Sequence, residues 1–563
     1  MDFALTLHSH LPYVLHHGRW PHGSDWLCEA ALDTYLPLVE VLRALEADRI
    51  PAPVTIGVTP VLANQLASPA FVAEMEAFFA QRLLACEEAP ASLAATAEGH
   101  LLPLVEFWRR RLLRLQRLFH AIDGEIVAAL RALQDAGRLE IITSAATHGF
   151  LPLLARDESI RLQLAVGRVE HRRLFGRAAQ GVWLPECAYR PRGPWHPWPT
   201  APRAGIRRGI EEHLSDAGFR YFFVDSHLAS AGRPLGIYGD PGGDPAVHRA
   251  GERAGSPVHR SPYTAYQVSH SRTAEGVAAL VRDPRSSMQV WSRFQGYPGD
   301  GTYLEFHKMR WPGGLKLWRV TGADVDLGGK EPYAPDAALD RARVHADHFA
   351  GLLGEIAGHE RHLRGGVIVA PFDTELFGHW WFEGPEWLGA VYRALARQDR
   401  GVRPVTASRH LRDHPAKHPI RLPSGSWGAN GDFSMWLGDA TAWTWERLWP
   451  LEEAFWDAAP AALAQPGARP VLAQAARELL LAQASDWQFI ISTGAAADYA
   501  ERRFTGHCDD ARALLDALAP AAGDRLPRAQ ARAEELARRD QVFPEILAAV
   551  AAALGGSRSL AVD

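Results

Sequence analysis

The sequence predicts an α/β fold, a TIM-like barrel followed by a C-terminal helical domain. Three observations predict it. Over the first four hundred residues, short apolar runs alternate with stretches of helical period, a rhythm that implies parallel strands joined by helical crossovers. A polar residue of the kind used in catalysis follows strand after strand: His10, His148, Glu186, Asp225 and Asp373. Barrel enzymes place their sites in this way, at the C-terminal ends of the strands. Beyond about His410 the chain becomes Ala/Leu/Arg-rich and helical in period. A doubly wound sheet also alternates, but it gathers its ligand residues at one switch point. The expectation is therefore a barrel, distorted or short of eight strands.

The elements follow in order. Phe3 to Leu7 reads as a strand ending at His8-Ser9-His10, and a helix starts at Ser24, a good N-cap. Val54 to Val58 is the second strand, and 101–136 is helical up to Gly137. Leu139 to Thr143 reaches His148, and a helix from Glu158 stops near Gly176. Val182-Trp183-Leu184 leads to Glu186, and Tyr221 to Val224 leads to Asp225. Met288 to Val290 is taken as the strand before Trp291. A helix over 339–356 precedes Val367-Ile368-Val369-Ala370, which reaches Asp373. The segment 232–262, rich in Gly, Pro and Arg, is too long for a plain connector and reads as a mobile lid or a disordered insertion. After a Trp- and Gly-containing loop at 425–438, helices run from Thr441 with breaks near Pro466 and Pro520. The expected division is a barrel over 1–190 and 263–410, an insertion with an active-site loop over 191–262, and a helical domain over 411–563.

Composition narrows the classes. A length of 563 residues exceeds one ordinary domain, and 47% hydrophobic with 22% charged residues supplies a large core. A net charge of −5 gives no reason to expect nucleic acid or an anionic membrane as partner. Cys28, Cys86, Cys187 and Cys508 are scattered without a CxxC pair, which suits a reducing compartment. The start, MDFALTLHSH, lacks a basic region and a long apolar run, so no signal peptide is expected. No stretch reaches the ~18 uninterrupted apolar residues of a membrane span. The expected location is cytoplasmic. Tryptophan is abundant, 19 against 5 Met, which builds either an aromatic core or a groove that stacks flat apolar faces such as sugar rings.

Two acids carry the chemistry. Glu186 sits at a strand tip between Trp183 and Tyr189, and Asp373 follows a fully apolar strand with Phe377, Trp380 and Trp381 behind it. A carboxyl in such surroundings takes a raised pKa, which a proton donor at neutral pH requires. Two strand-tip acids with aromatic walls fit the two-carboxylate logic of glycoside chemistry. The plainer reading of Glu186 is a cap or an ion pair with Arg190 or Arg192, and of Asp373 a loop cap. His8 and His10 share a strand face and His148 could join them on a metal, but no HExxH or zinc-finger spacing is present. No Walker loop and no GxGxxG fingerprint follows a strand, which disfavours nucleotide chemistry.

Five separated motifs, LHSHLPYV, TSAATHGFLP, VWLPECAY, APFDTELFGHWW and ASDWQFIISTG, occur in this order, and in them the chain resembles glycoside hydrolase family 57. HLPYVLHHGRWPHGSDWLCEA and VWSRFQGYPGDGTYLEFHK add a likeness to its 1,4-α-glucan branching enzymes, over about residues 1 to 500. The resemblance implies a (β/α)7-type barrel with a C-terminal helical domain that closes the groove. It implies Glu186 as nucleophile and Asp373 as proton donor and base, with no metal or cofactor. It places substrate contacts at His10, Trp26, His148, Arg282, Trp291, Gly299, Trp427, Trp436, Asp486 and Trp487. Tyr238 is the candidate for the tyrosine at the tip of the active-site loop, although 240–260 departs from the family pattern. The implied substrate is an α-1,4-glucan such as amylose or glycogen. A 4-α-glucanotransferase or α-amylase of the same family would use the same acids. A non-catalytic glycan binder and a metal-dependent polysaccharide deacetylase are the other classes.

Overall fold

The computed structural model describes residues 1–96, 98–202, 205–230, 260–269, 276–292, 295–519 and 525–555. Among these, seven strands form the barrel: β1 Asp2–Ser9, β2 Val54–Val58, β3 Leu139–Ser144, β4 Gly181–Trp183, β5 Tyr221–Val224, β6 Val277–Val281 and β7 Val367–Asp373. β7 pairs with β1, and β1 to β6 follow one another, all in parallel. The ring closes through one parallel bridge between Arg282 and Val369, where the Asp283 N–H donates to the Val369 carbonyl at 2.8 Å. The strands are buried almost throughout, as a parallel sheet covered on both faces demands.

Helices cover the crossovers. The helix Asp157–Phe175 opens on two acids and ends at Gly176, whose φ of 73° is the left-handed C-cap that glycine adopts without strain. The helix Pro335–His359 precedes β7. The β2–β3 crossover contains a helix that the sequence reading did not give, the 27-residue Pro69–Ala95.

Three expectations need correction. Met288 to Val290 belongs to the helix Pro284–Trp291, not to a strand. Asp283 caps that helix by accepting from the N–H groups of Arg285 and Ser286, with Pro284 in the first turn. The sixth strand is instead Val277–Val281, on the chain-proximal side of that cap. Tyr221–Val224 is integral to the barrel, so the span 191–262 is not wholly an insertion. Ser24 is the first helical residue rather than the cap, and its hydroxyl donates to Glu74 at 2.9 Å.

From Ala442 the chain is helical: Ala442–Ala464, Arg469–Ala482, Asp486–Thr493, Ala497–Asp516, Leu526–Arg539 and Ile546–Gly555. This layer is fastened to the barrel rim by polar contacts. Trp449 and Trp456 donate to the Leu153 carbonyl and the Ser159 hydroxyl, and Gly149 bridges Ala484. Tyr13, on the loop after β1, donates to the Arg539 carbonyl and its own carbonyl accepts from Arg503. The expected break near Pro520 lies outside the described residues. Among the described residues, no helix is long and apolar enough to cross a membrane.

Candidate active site

The strand tips converge on Glu186. Past β4 the chain turns sharply through Leu184-Pro185, with the Cys187 and Ala188 N–H groups donating to the Leu184 and Pro185 carbonyls. Glu186 and Cys187 take φ values of 60° and 48°, and His148, past β3, takes 61°. Non-glycine residues held in this region carry backbone strain, of the kind that gathers at functional sites. The Trp427 backbone N–H donates to the Glu186 carbonyl at 2.9 Å, so the Gly-rich loop locks the turn from above.

The Glu186 carboxylate accepts from Trp427 Nε1 at 2.9 Å on Oε2 and from Ser485 Oγ at 3.1 Å on Oε1, with His148 Nδ1 3.7 Å away. Burial pushes its pKa up to about 7 against the Trp427 hydrogen bond; nearby Asp486 raises it further, and Ser485 and His10 oppose the rise. Asp373 ends β7, in register with His8 on β1. Burial holds its carboxyl well above the usual range, with the charges of Glu375 and Glu186 adding to the effect and Arg282 opposing it. The two acids therefore feel each other, and burial raises both.

Arg282, just past β6, stands beside them. It donates to Ser287 Oγ at 2.9 Å, lies 3.8 Å from the wholly buried Asp225, and rests 5.5 Å from the centre of the Trp427 ring. Burial pushes the Asp225 carboxyl up, but Arg282 and then His227 bring it below its ordinary value. Trp291 meets Trp427 edge to face at 6.2 Å, so two indoles from different parts of the chain wall one side. On the other side His10 binds Asp486 at 2.9 Å and Thr59 at 3.0 Å, and its ring stacks on His148 at 4.1 Å. His10, His148 and Asp486 bring ligand-type atoms within 4.8 Å of one another. That set differs from the His8, His10 and His148 grouping weighed from sequence. Within that set His10 bonds to Asp486 and Thr59, and His148 bonds to Ser485 and His8.

The structure thus gathers Glu186, Asp373, His10, His148, Arg282, Trp291, Trp427 and Asp486. Other sequence candidates stand apart. Trp436, expected as a substrate contact, is 1% exposed and stacks on Phe150 at 4.6 Å, with Phe489 beyond it, so it offers no open face. Trp487 is fully buried, donating to the Leu481 carbonyl beneath Arg503. Trp436 is held between the barrel loop and the helical layer, and Trp487 within that layer. Trp26 is half-buried beside His22, and Gly299 ends the single turn Tyr297–Gly299. Tyr238 and the loop around it lie outside the described residues.

Sequence reasoning missed Ser485, Glu375 and Tyr35. Ser485 precedes a motif aspartate, a visible position, but nothing marks its hydroxyl as aimed at Glu186. Glu375 follows Asp373 by two residues and accepts from the Tyr35 hydroxyl and the His10 N–H. Burial lifts its pKa to about 7, despite the Tyr35 hydrogen bond.

Residues 4–423 match the model of Glycosyl hydrolase family 57, and residues 450–550 match that of the 1,4-alpha-glucan branching enzyme C-terminal region. The chain is 41% identical, over 523 residues, to a 1,4-alpha-glucan branching enzyme of Thermococcus kodakarensis, covering 92% of this chain and 73% of that one. It is similar in structure to a branching enzyme of this family from Pyrococcus horikoshii (TM-score 0.86, 37% identity, 98% and 96% of the two chains). It is also similar to the alpha-amylase AmyC of Thermotoga maritima (TM-score 0.78, 29% identity, 98% and 99%).

Proposed function

The chain belongs to glycosyl hydrolase family 57, and from that premise we propose that it is a retaining 1,4-α-glucan branching enzyme with Glu186 as nucleophile and Asp373 as acid and base. One observation carries the assignment of roles. Glu186 accepts two hydrogen bonds that favour its anion and oppose its burial, whereas Asp373 is raised by burial and then by the charges of Glu375 and Glu186, with only Arg282 opposing. A nucleophile and a proton donor need these opposite states.

Asp373 gives its proton to the glycosidic oxygen of an α-1,4-glucan while a Glu186 oxygen bonds to the anomeric carbon. The C–O bond breaks, and the departing chain leaves with a free 4-hydroxyl. Asp373, now a carboxylate, takes the proton of an acceptor 6-hydroxyl. That oxygen attacks the anomeric carbon and Glu186 leaves as carboxylate. Two inversions retain configuration, and an α-1,6 branch results. Arg282 holds Trp427 in place beneath its guanidinium, and Trp291 and Trp427 offer aromatic faces to the sugar. The product is a glycogen-type polymer, and the reaction is assigned to the cytoplasm. The unit containing 442–555 closes the groove by supplying Ser485 and Asp486.

Hydrolysis, as in the similar amylase, uses the same two acids with water as acceptor. The match over 450–550 and the higher identity to branching enzymes favour transfer. Incubation with amylose separates the two: branching creates α-1,6 linkages with little gain in reducing ends, and hydrolysis creates reducing ends alone. Reducing ends rising without new branches would refute the branching reading.

A further inference from the structure

Two buried histidines and a serine behind Glu186 are not accounted for by bond making and breaking. Ser485 Oγ is 3.1 Å from Glu186 Oε1 and 2.9 Å from His148 Nδ1. His148 Nε2 is in turn 3.0 Å from His8 Nε2. The direction of each bond follows from counting protons. An attacking carboxylate only accepts, so the single hydroxyl proton of Ser485 goes to Glu186. The Ser485 oxygen must then accept from His148, which places the His148 proton on Nδ1. Burial, with the neighbouring His10 and His8, holds His148 neutral, so its Nε2 is a lone pair. The proton between the two rings therefore belongs to His8 Nε2. Burial, and then His10, keeps His8 neutral as well, which leaves its Nδ1 as a bare acceptor.

His8 Nδ1 has no hydrogen-bond partner among the described residues. On the adjacent strand it faces Gly57, where even a Cβ would come within 3.4 Å, so that side brings no donor to Nδ1. This fits the tautomer required at the far end of the chain. The rings are also fixed in plane: His8 stacks on Trp183 at 4.8 Å with 13° between planes, and His148 stacks on His10. The Ser485 backbone N–H donates to the His148 carbonyl at 3.1 Å, which fixes the serine from the opposite side.

Resting on the reading of Glu186 as nucleophile, we propose that His8, His148 and Ser485 form a one-way hydrogen-bond relay that aims the Ser485 proton at the nucleophile. Ser485 and His8 are positioning residues. No charge moves along the relay; it fixes tautomers. Its effect is to hold Glu186 ionised and Oε1 oriented in a site whose burial favours the neutral acid. The relay joins three parts of the chain: the end of β1, the loop after β3, and the C-terminal layer. The charged and titratable groups facing Glu186 are Asp373 on β7, His10 on the β1 tip, His148, Asp486 at the start of its helix, and Arg282 across Trp427.

The experiment is the pH profile of kcat/KM for transfer on amylose, whose acid limb reports ionisation of Glu186. Ser485→Ala removes a donor to the anion and is expected to move that limb up by about one pH unit. Ser485→Thr keeps the hydroxyl and leaves the limb in place. His8→Phe keeps the stack on Trp183 but removes the N–H. It frees His148 to reverse its tautomer and draw the Ser485 proton away, so the limb moves upward although His8 does not touch Glu186. The double variant shifts no further than Ser485→Ala alone, since both act on one bond. An unmoved limb in Ser485→Ala, or in folded His8→Phe, overturns the relay. Should His8→Phe not fold, the Ser485→Ala and Ser485→Thr pair still decides the last link. Glu186→Gln is measured alongside. An active Glu186→Gln sinks the nucleophile reading itself, whereas an inactive one with unmoved limbs sinks only the relay.

Discussion

At the barrel rim Glu186 accepts two hydrogen bonds and faces a second acid, while in the helical layer Asp540 is enclosed by His17 at 2.6 Å and Arg539 at 2.6 Å. Close to Asp540, Glu478 is held by His507 at 2.7 Å and by Gln474, and Arg539 continues to Asp510 at 2.8 Å. Both regions bury carboxylates, but the partners differ. Around Asp540, burial alone would raise the carboxyl, and His17, His507 and Arg539 outweigh it and bring the pKa far below its ordinary value, while burial and the Asp540 charge push the neighbouring Glu478 well above its own, so this cluster holds one carboxylate ionised and the other neutral. Around Glu186 and Asp373 the balance goes the other way, and both pKa values rise. A compensated ion cluster fixes how elements dock. An uncompensated pair is kept ready for proton transfer at a cost in stability. Side-chain exposure marks the same division: Asp540 and Glu478 are at 0%, and Glu186, at 14%, keeps an opening to the groove.

The strongest way to break this contrast is Glu186→Gln. If the rim acids serve chemistry, transfer falls by at least about 10³-fold, while the fold survives. Stability should even gain. A carboxyl whose folded pKa is raised binds its proton more tightly in the folded state than in the unfolded one. Between pH ~4.5 and ~7 the native state thus holds more protons, and stability falls as pH rises through that window. Relief of this term is on the order of 3 kcal/mol above pH 7. Melting curves of the variant and wild type should coincide near pH 4 and separate, with the variant higher, by pH 8. A variant that melts lower at every pH would place Glu186 with the structural carboxylates.

How far the sequence revealed these regions depends on periodicity. Five of the seven strands were legible because an apolar run ended in a polar tip, and β2 was legible from its apolar run alone. β6 was not, because Val277–Val281 is a short run whose tip bears Arg282 rather than an acid. The apolar Met288 and Val290 then drew the assignment onto a helix that Asp283-Pro284 signals in retrospect. Glu186 and Asp373 were legible as strand-tip acids. Trp427 was legible as a site residue for its Gly-rich loop, which a core rarely tolerates. Trp436, nine residues on, has the same local signals, and only the packing of Phe150 and Phe489 around it separates wall from core. Ser485 and the Asp540 cluster were invisible, because their partners lie hundreds of residues away along the chain.

The second test exchanges the expected effects. Asp540→Asn leaves Arg539 and His17 without their buried anion, and breaking such a pair costs about 3–5 kcal/mol. A lowered carboxyl pKa contributes stability above its unfolded value near ~4 and loses that contribution as pH falls. The penalty is therefore full at neutral pH and shrinks in acid. At temperatures where the variant is folded, kcat should stay within about threefold of wild type, because the cluster touches no reacting atom. Thermal denaturation at pH 7 and pH ~2.5, paired with branching assays at 25 °C, checks both halves. A large loss of kcat with an unchanged melting temperature would mean that the cluster acts on the site and that the two regions are not separable.

The smallest effect, and the one that sharpens the division most, belongs to Trp427→Phe. Trp427 takes part in both kinds of contact. Its ring packs on Trp183, Trp291 and Arg282, and its indole N–H donates to Glu186 Oε2. Phenylalanine keeps an aromatic face and deletes the donor. If the hydrogen bond serves the anion, its loss raises the Glu186 pKa above about 7, and fewer molecules carry the ionised nucleophile at neutral pH. A hydrogen bond to a charged group is worth about 1.5–3 kcal/mol, so kcat/KM should fall by roughly tenfold or more at pH 7. The deficit should narrow as pH rises and Glu186 ionises, until deprotonation of Asp373 lowers both enzymes alike. Stability should barely change, within about 2 °C in melting temperature, because water can replace the lost donor at a groove that is open. Were kcat/KM preserved across the pH range while the melting temperature dropped by several degrees, the Trp427 contact would be structural, and Glu186 would be satisfied in the same manner as Asp540.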